Sequence, residues 1–303
     1  MLHPRRRRIG LKPAPAGRLF SCYRLSSLPR VTFHASASEL TPDGDRYFDG
    51  MAEKFARSLY NAPRGALRLT LLDELLPDML GLTGQPALDV GGGLGQQTVW
   101  LARRGHPVTL AEPSADMLDY ARRELAAEPV ADRIACLQAP LQTLESEAPG
   151  PWPLVICHAV LEWLGDPEAA LLTLSRLLAP GGQLSLMVFN RDALRFANVI
   201  KGNRQKALDD RLEGWGKGKR LTPVSPLTHA DIERFAETAG LEIDAAAGIR
   251  LFQDYLREPV VDDADQARLL ALERAYCRAE PHWRLGRYLL YTLRKPSTQE
   301  TFP

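Results

Sequence analysis

Two periods of apolar residues run along this chain. Phe48, Met51, Ala52, Phe55 and Leu59 recur every three to four residues, the spacing of one helix face. Asn61 and Pro63 mark a turn and a second helix start. Leu67, Leu71, Leu72, Leu75 and Leu76 form the apolar stripe of that helix, and Gly81 and Gly84 end it. From Pro86 the pattern changes to short apolar runs separated by helical stretches. Strands are predicted at 87–90, 107–111, 134–137, 154–158, 183–189, 241–246 and 287–293. A helix follows the GGGLG string, and others start at Ser114 and near Pro167. The last of these is closed by LAPGG at 178–182, and a further helix over HADIERFAETAG is capped at Thr228 or His229. Strands alternating with helices predict an α/β fold with a mostly parallel, doubly wound sheet. There is no internal repeat.

Residues 1–41 show neither period. They are rich in Arg, Pro and Ser, and residues 1–38 hold eight bases and no acid. They are expected to be a disordered basic extension. The same composition imitates an organelle transit peptide, suits a nucleic-acid-binding arm, or marks a start codon placed too early. The net charge of +1 therefore hides an acidic body behind a basic tail. That body, residues 45–297, is read as one domain. Its longest apolar runs are strand-sized, which excludes a membrane-spanning helix. The 4 cysteines include no CxxC pair, so neither a disulfide framework nor a zinc ribbon is expected, and no metal is implied.

The segment LDVGGGLGQQTVWLA joins a predicted strand to a predicted helix. Glycines there let a ligand approach the backbone, and the helix start offers free N–H groups. A dinucleotide fingerprint starting at Gly91 needs glycine at position 96, where Gln96 stands. The pattern present is DxGxGxG, with Asp89, Gly91, Gly93 and Gly95. It resembles motif I of class I S-adenosylmethionine (SAM)-dependent methyltransferases. Glu112 follows 23 residues after Asp89, at the end of the second strand, where a carboxylate can accept both hydroxyls of a ribose. His158 ends the fourth strand, facing the crevice, and is read either as a hydrogen-bonded structural residue or as a contact to SAM or acceptor. Its neighbour Cys157 is read as core. No NPPY-type motif and no Pro-Cys pair occur, which argues against exocyclic nitrogen and cytosine-C5 chemistry. No general base is evident. That is compatible with a carboxylate acceptor, which is already ionised at neutral pH.

Residues 190–226 form a basic insert, with nine bases against four acids over 191–220. Its WGKGKR string places Trp215 among flexible bases, as suits an unpaired nucleobase; a solvated linker is the plain alternative. The strings FDGMAEKFARSLYNAPRGALR, LDVGGGLGQQ, CHAVLEWLGDP, LAPGGQLSLMVFN, GIRLFQDYLRE, YCRAEP and LGRY resemble the bacterial tRNA 5-carboxymethoxyuridine methyltransferases across the folded body. The resemblance implies a seven-stranded Rossmann-like sheet with an N-terminal helical cap. It implies SAM as methyl donor, the tRNA anticodon region as partner, the carboxymethoxy group of a wobble uridine as acceptor, and a cytoplasmic enzyme with no obligate protein partner. It also implies that Arg68 binds the SAM carboxylate, that Gly91 and Gly92 pass close to the cofactor, and that Glu112 holds the ribose. Glu112 stands where the family more often has Asp. Pro140 and Leu141 fall at the adenine pocket and His158 at the family's strand-four histidine. Lys217, Lys219, Arg220, Arg250, Tyr255 and Arg257 are candidates for tRNA contact; for Arg250 and Arg257 the alternative is ion pairing with Asp254 or Glu258. A small-molecule or acyl-carrier carboxylate is the alternative acceptor, and RNA binding without catalysis is a third reading.

Overall fold

A computed structural model describes residues 40–57, 62–213 and 222–297. The strands are β1 (Ala87–Val90), β2 (Val108–Ala111), β3 (Ile134–Leu137), β4 (Trp152–His158), β5 (Leu178–Phe189), β6 (Glu242–Ile249) and β7 (Tyr288–Arg294). They form one sheet in the order β3-β2-β1-β4-β5-β7-β6. The pairs among β1 to β5 are parallel, while β7 runs antiparallel to both β5 and β6. All four residues of β1 are buried, as expected of a central strand with helices on both faces.

The described helices are α1 (Ala52–Phe55), α2 (Pro63–Met79), α3 (Gln96–Ala102), α4 (Ala115–Ala126), α5 (Leu144–Glu147), α6 (Pro167–Leu177), α7 (Arg191–Ile200), α8 (Arg204–Leu208), α9 (His229–Thr238) and α10 (Asp263–Tyr276). Their starts follow local chemistry. Pro63 opens α2, where its missing N–H would be unpaired anyway. The Ser114 hydroxyl caps α4 by accepting from Met117 N at 3.3 Å. Thr228 and Asp231 form a reciprocal capping box on α9, which settles the cap on Thr228. Leu59 and Asn61 of the predicted first helix and turn lie outside the described residues.

Two expectations are corrected in detail. LAPGG does not precede the fifth strand. Pairing jumps from Trp152–Leu178 to Leu154–Gln183, so residues 179–182 bulge out of β5 opposite Pro153, with Gly181 at φ +75°. Residues 191–208, within the stretch read as a basic insert or linker, form α7 and α8, and three arginines of that stretch are paired internally. Arg191 meets Asp210 at 2.9 Å and Glu213 at 2.6 Å, Arg195 meets Asp192 and Asp210, and Arg211 meets Asp209.

The segment ahead of α2 is stitched over the carboxyl ends of the strands. Buried Asp45 accepts from Gly165 N at 2.9 Å and Gln142 Nε2 at 2.6 Å. Asp49 accepts from Ser114 Oγ at 2.7 Å, and Asp116 accepts from Ala52 N at 3.1 Å. Phe48 is thereby held edge-on to Trp163, with ring centroids 4.9 Å apart.

Helix α10 was not anticipated, and its main contribution is a buried acid. Glu273 is fully buried, and its carboxylate accepts from Leu251 N at 2.6 Å, Phe252 N at 2.9 Å and Gln253 N at 3.1 Å. It fixes the loop that leaves β6. Replacing Glu273 with Ala strands three backbone donors and should destabilise the fold by roughly 3 kcal/mol. Urea unfolding checks this; a midpoint equal to wild type would show that the loop is held by other means.

Candidate functional site

Strand order reverses between β1 and β4, and ligands of open α/β sheets bind in the crevice at such a reversal. A cavity of about 280 Å³ lies there. Its lining includes Arg68, Asp89, Gly91, Gly92, Glu112, His158, Glu162, Arg250, Asp254 and Arg287.

The loop after β1 forms one wall. Gly91 has φ +62°, and a Cβ there would lie 2.5 Å from Val160 Cγ2; a Cβ on Gly92 would lie 2.6 Å from Leu110 Cδ1 and 2.8 Å from Asp89 Oδ2. Only glycine fits both places. Asp89 supports the loop, since its carboxylate accepts from Thr98 Oγ1 at 2.6 Å. Burial nevertheless pushes Asp89 up to about 6. Glu112, at the end of β2, closes the loop from the other side. It accepts from Gly93 N and from Ser114 N, each at 3.0 Å. Burial pushes this carboxyl up to about 7, against those two bonds, which favour its ionised form. Each oxygen retains lone-pair capacity toward the cavity.

The opposite wall comes from α2 and β4. Arg68 is buried on α2, with its guanidinium 5.9 Å from the Tyr288 ring. His158 Nε2 shares a 2.8 Å hydrogen bond with Ser185 Oγ. Its Nδ1 is buried without a partner among the described residues. Burial and, secondarily, the Arg68 charge push His158 down to about 3, so the ring is neutral at physiological pH. Cys157, next in sequence, is buried in the core behind the sheet, as strand alternation requires.

Other expected residues are placed differently. Pro140 and Leu141 do not line the cavity; Leu141 is buried in the core. Arg250 and Asp254 do line it and pair with each other, Nε to Oδ2 at 2.9 Å and Nη2 to Oδ1 at 2.6 Å. Tyr255 sits outside the lining and donates its hydroxyl to Leu285 O at 2.8 Å. Arg257 is exposed away from the cavity. Lys217, Lys219 and Arg220 lie outside the described residues.

Three charged residues of the cavity, Arg64, Glu162 and Arg287, were assigned no role from sequence, and Arg64 is exposed at the start of α2. Glu162 is 1% exposed, and neither carboxylate oxygen has a hydrogen-bond partner among the described residues. Burial pushes it up to about 8. Arg287 lies over the Phe189 ring, its guanidinium carbon 4.1 Å from the centroid. Glu162 and Arg287 stand inside strings that carried the family resemblance, CHAVLEWL and LGRY, and that context was their only signal. Glycine walls, a ribose-type acid and buried polar atoms awaiting partners fit a nucleoside joined to a charged amino-acid end. Among the described residues no cluster of three or more His, Cys, Asp or Glu is placed to hold a metal ion, and no helix is long and apolar enough to cross a membrane.

Residues 88–186 match the model of the "Methyltransferase domain" family. The chain is 40% identical over 261 residues to the tRNA 5-carboxymethoxyuridine methyltransferase of Escherichia coli K12, covering 84% of this chain and 98% of that protein. It is 29% identical to the ubiquinone biosynthesis O-methyltransferase of Xanthomonas euvesicatoria, over 58% of this chain and 70% of that one. A solved Haloferax volcanii methyltransferase, in complex with the Trm112 activator, superposes with TM-score 0.52 at 16% identity, over 82% of this chain and 95% of that chain. That last likeness concerns the fold alone.

Gly91→Ala tests the loop. The added methyl group is strained by its φ and meets Val160, so stability should fall by about 2 kcal/mol. Thermal unfolding beside wild type reads this, and an unshifted transition would mean that the wall yields at no cost.

Proposed function

This chain belongs to the tRNA 5-carboxymethoxyuridine methyltransferase family, within the class I SAM-dependent methyltransferases, and from that footing we propose what it does. It methylates the carboxylate of 5-carboxymethoxyuridine at the tRNA wobble position, giving the methyl ester 5-methoxycarbonylmethoxyuridine. It acts on the anticodon region of tRNA, and the proposed compartment is the cytoplasm.

The observation that carries this reading is the state of His158. An imidazole pushed down to about 3 and hydrogen-bonded to Ser185 is a poor proton acceptor at neutral pH. His158 is therefore not a general base here, which an acceptor that is already ionised allows. SAM supplies a methyl group on a sulfonium: an acceptor lone pair forms the new C–O bond, the C–S electron pair goes to sulfur, and no proton moves. In this reading Arg68 holds the SAM carboxylate with its guanidinium fork. Gly91 and Gly92 let the backbone pass against the nucleoside, and Glu112 accepts the ribose hydroxyls. Glu162, whose oxygens lack partners among the described residues, is the residue suited to the SAM ammonium.

The activity is tested with methyl-labelled SAM and tRNA bearing unesterified 5-carboxymethoxyuridine, followed by mild alkali. Label should enter the RNA and leave as methanol. Label that resists alkali would place the methyl group on base or ribose and defeat the reading. No label in RNA despite SAM binding would point to a small-molecule carboxylate.

The role of Glu112 predicts a pH dependence. In the free protein its carboxyl is raised to about 7. Accepting two hydroxyls favours the ionised form, so binding lowers that pKa and expels a proton. Affinity for SAM should fall as pH drops below 7, by up to roughly tenfold per unit from Glu112, and Glu162, raised to about 8, adds its own loss below pH 8. Calorimetry at pH 6 and 8 in buffers of different ionisation enthalpy measures both the affinity and the proton. Glu112→Gln should lose its part of the fall below pH 7 and keep the Glu162 part; a variant profile equal to the wild-type one would remove Glu112 from the ribose.

A further inference from the structure

Arg287 stands immediately before β7, and its backbone is pinned on both sides. Its N–H donates to Arg250 O at 3.1 Å, and its carbonyl accepts from Asn190 N at 3.1 Å. Asn190 is fully buried, and its Nδ2 donates to Arg284 O at 2.8 Å and Gly286 O at 2.9 Å. Gly286 is packed so closely that a Cβ there would lie 2.7 Å from Gly248 Cα. The arginine therefore leaves a rigid corner. Its guanidinium lies over the ring of Phe189, which is 4% exposed and braced edge-on by Tyr288 at 5.7 Å.

The Arg287 charge is attracted by Asp254 through space, without a bond between them. Its guanidinium has no carboxylate within ion-pairing distance and no hydrogen-bond acceptor there. Asp254, which lines the same cavity, has both oxygens engaged by Arg250. Asp254 therefore attracts Arg287 but bonds only Arg250, so the N–H fork of Arg287 is left without a bonded acceptor among the described residues. Removing a guanidinium from water without pairing it is unfavourable, and burial indeed lowers its pKa. An arginine nevertheless stays protonated in proteins. A rigid, stacked, cavity-facing fork of N–H donors is complementary to a planar carboxylate.

Building on the function proposed above, we propose that Arg287 binds the carboxylate of the acceptor and is the residue that selects a carboxymethoxy uridine over uncharged uridines. The roles on this wall then separate. Arg250 shapes the site through Asp254, and Arg287 meets the substrate. A carboxylate offers about four lone-pair sites, so donation from the fork leaves one free for the incoming methyl group. The ester product has no negative charge and loses this contact.

The test compares two forms of one tRNA, bearing either 5-carboxymethoxyuridine or 5-methoxyuridine at the same position, on the full-length protein with S-adenosylhomocysteine present. Wild type should bind the carboxylated RNA more tightly by roughly 10- to 100-fold. Arg287→Gln should bind both forms alike, at the wild-type affinity for the methoxy form, with affinity for S-adenosylhomocysteine unchanged. Arg287→Lys keeps the charge without the fork and should restore part of the preference. The unchanged affinities for nucleoside and methoxy RNA show that each variant is folded. If Arg287→Gln still prefers the carboxylated RNA while wild type esterifies it, Arg287 is a structural arginine and only this proposal falls. If wild type neither esterifies the carboxylated RNA nor prefers it, the proposed function falls, and Arg287 with it.

Discussion

The reversal of strand order between β1 and β4 is the constraint from which the cavity follows. On one side of that boundary the crossovers return toward β3, on the other toward β5, so no single connection covers the carboxyl ends of both central strands. The gap is floored by the ends of β1, β2 and β4 and roofed by the segment carrying Phe48 and Phe55. Gln96 and Gln97 at the start of α3 line it, beside the side chains at the strand ends. Glu112 and His158 are in the cavity because β2 and β4 end there. Arg250 and Arg287 are there because the antiparallel strand β7 brings the corner between β6 and β7 to the same edge as the ends of β4 and β5.

Such a gap gathers charge at a cost in solvation, and the structure meets that cost unevenly. Glu112 has two backbone donors, Asp89 has Thr98, and Arg250 has Asp254. Glu162 and Arg287 have no such polar partner among the described residues. Groups that are satisfied internally hold the walls. Groups that are not are the ones left for a ligand. This distinction separates Arg250 from Arg287, two arginines that composition and spacing treat alike.

Much of this was legible in the sequence. The strand at 87–90, the glycine loop and Glu112 were readable because period, turn residues and a spaced acid coincide within thirty residues. The helix starts at Pro63, Ser114 and Thr228 were readable because each is a cap with local chemistry. Helix α10 was not, because its buried face is narrow: Leu269 and the acid Glu273 are what it buries. An acid facing inward reads from sequence as a solvent-facing one. The same ambiguity hid Glu162 and Arg287, whose neighbours come from β4, β5 and β7, far apart in the chain. In the basic stretch at 191–220, composition shows the excess of bases but not which of them are engaged: Arg191, Arg195 and Arg211 are bound to acids of that same stretch, while Lys217, Lys219 and Arg220 lie outside the described residues.

Burial and reaction type are connected in the proposed chemistry. Joining a carboxylate to a sulfonium methyl group consumes one negative and one positive charge and creates a neutral ester and a neutral thioether. Transition states that disperse opposite charges are disfavoured by water, which solvates the separated ions, and are relatively favoured in a site that excludes it. A cavity whose walls include Phe189, Tyr288 and Met187 beside its charged groups favours that condition. Pairing the acceptor with an arginine is binding in the ground state, and it weakens as the carboxylate becomes an ester. It therefore contributes to choosing and placing the acceptor more than to lowering the barrier. The attraction that assembles the reactants vanishes with the charges that produced it, so the proposed site is built to hold its substrates more tightly than its products.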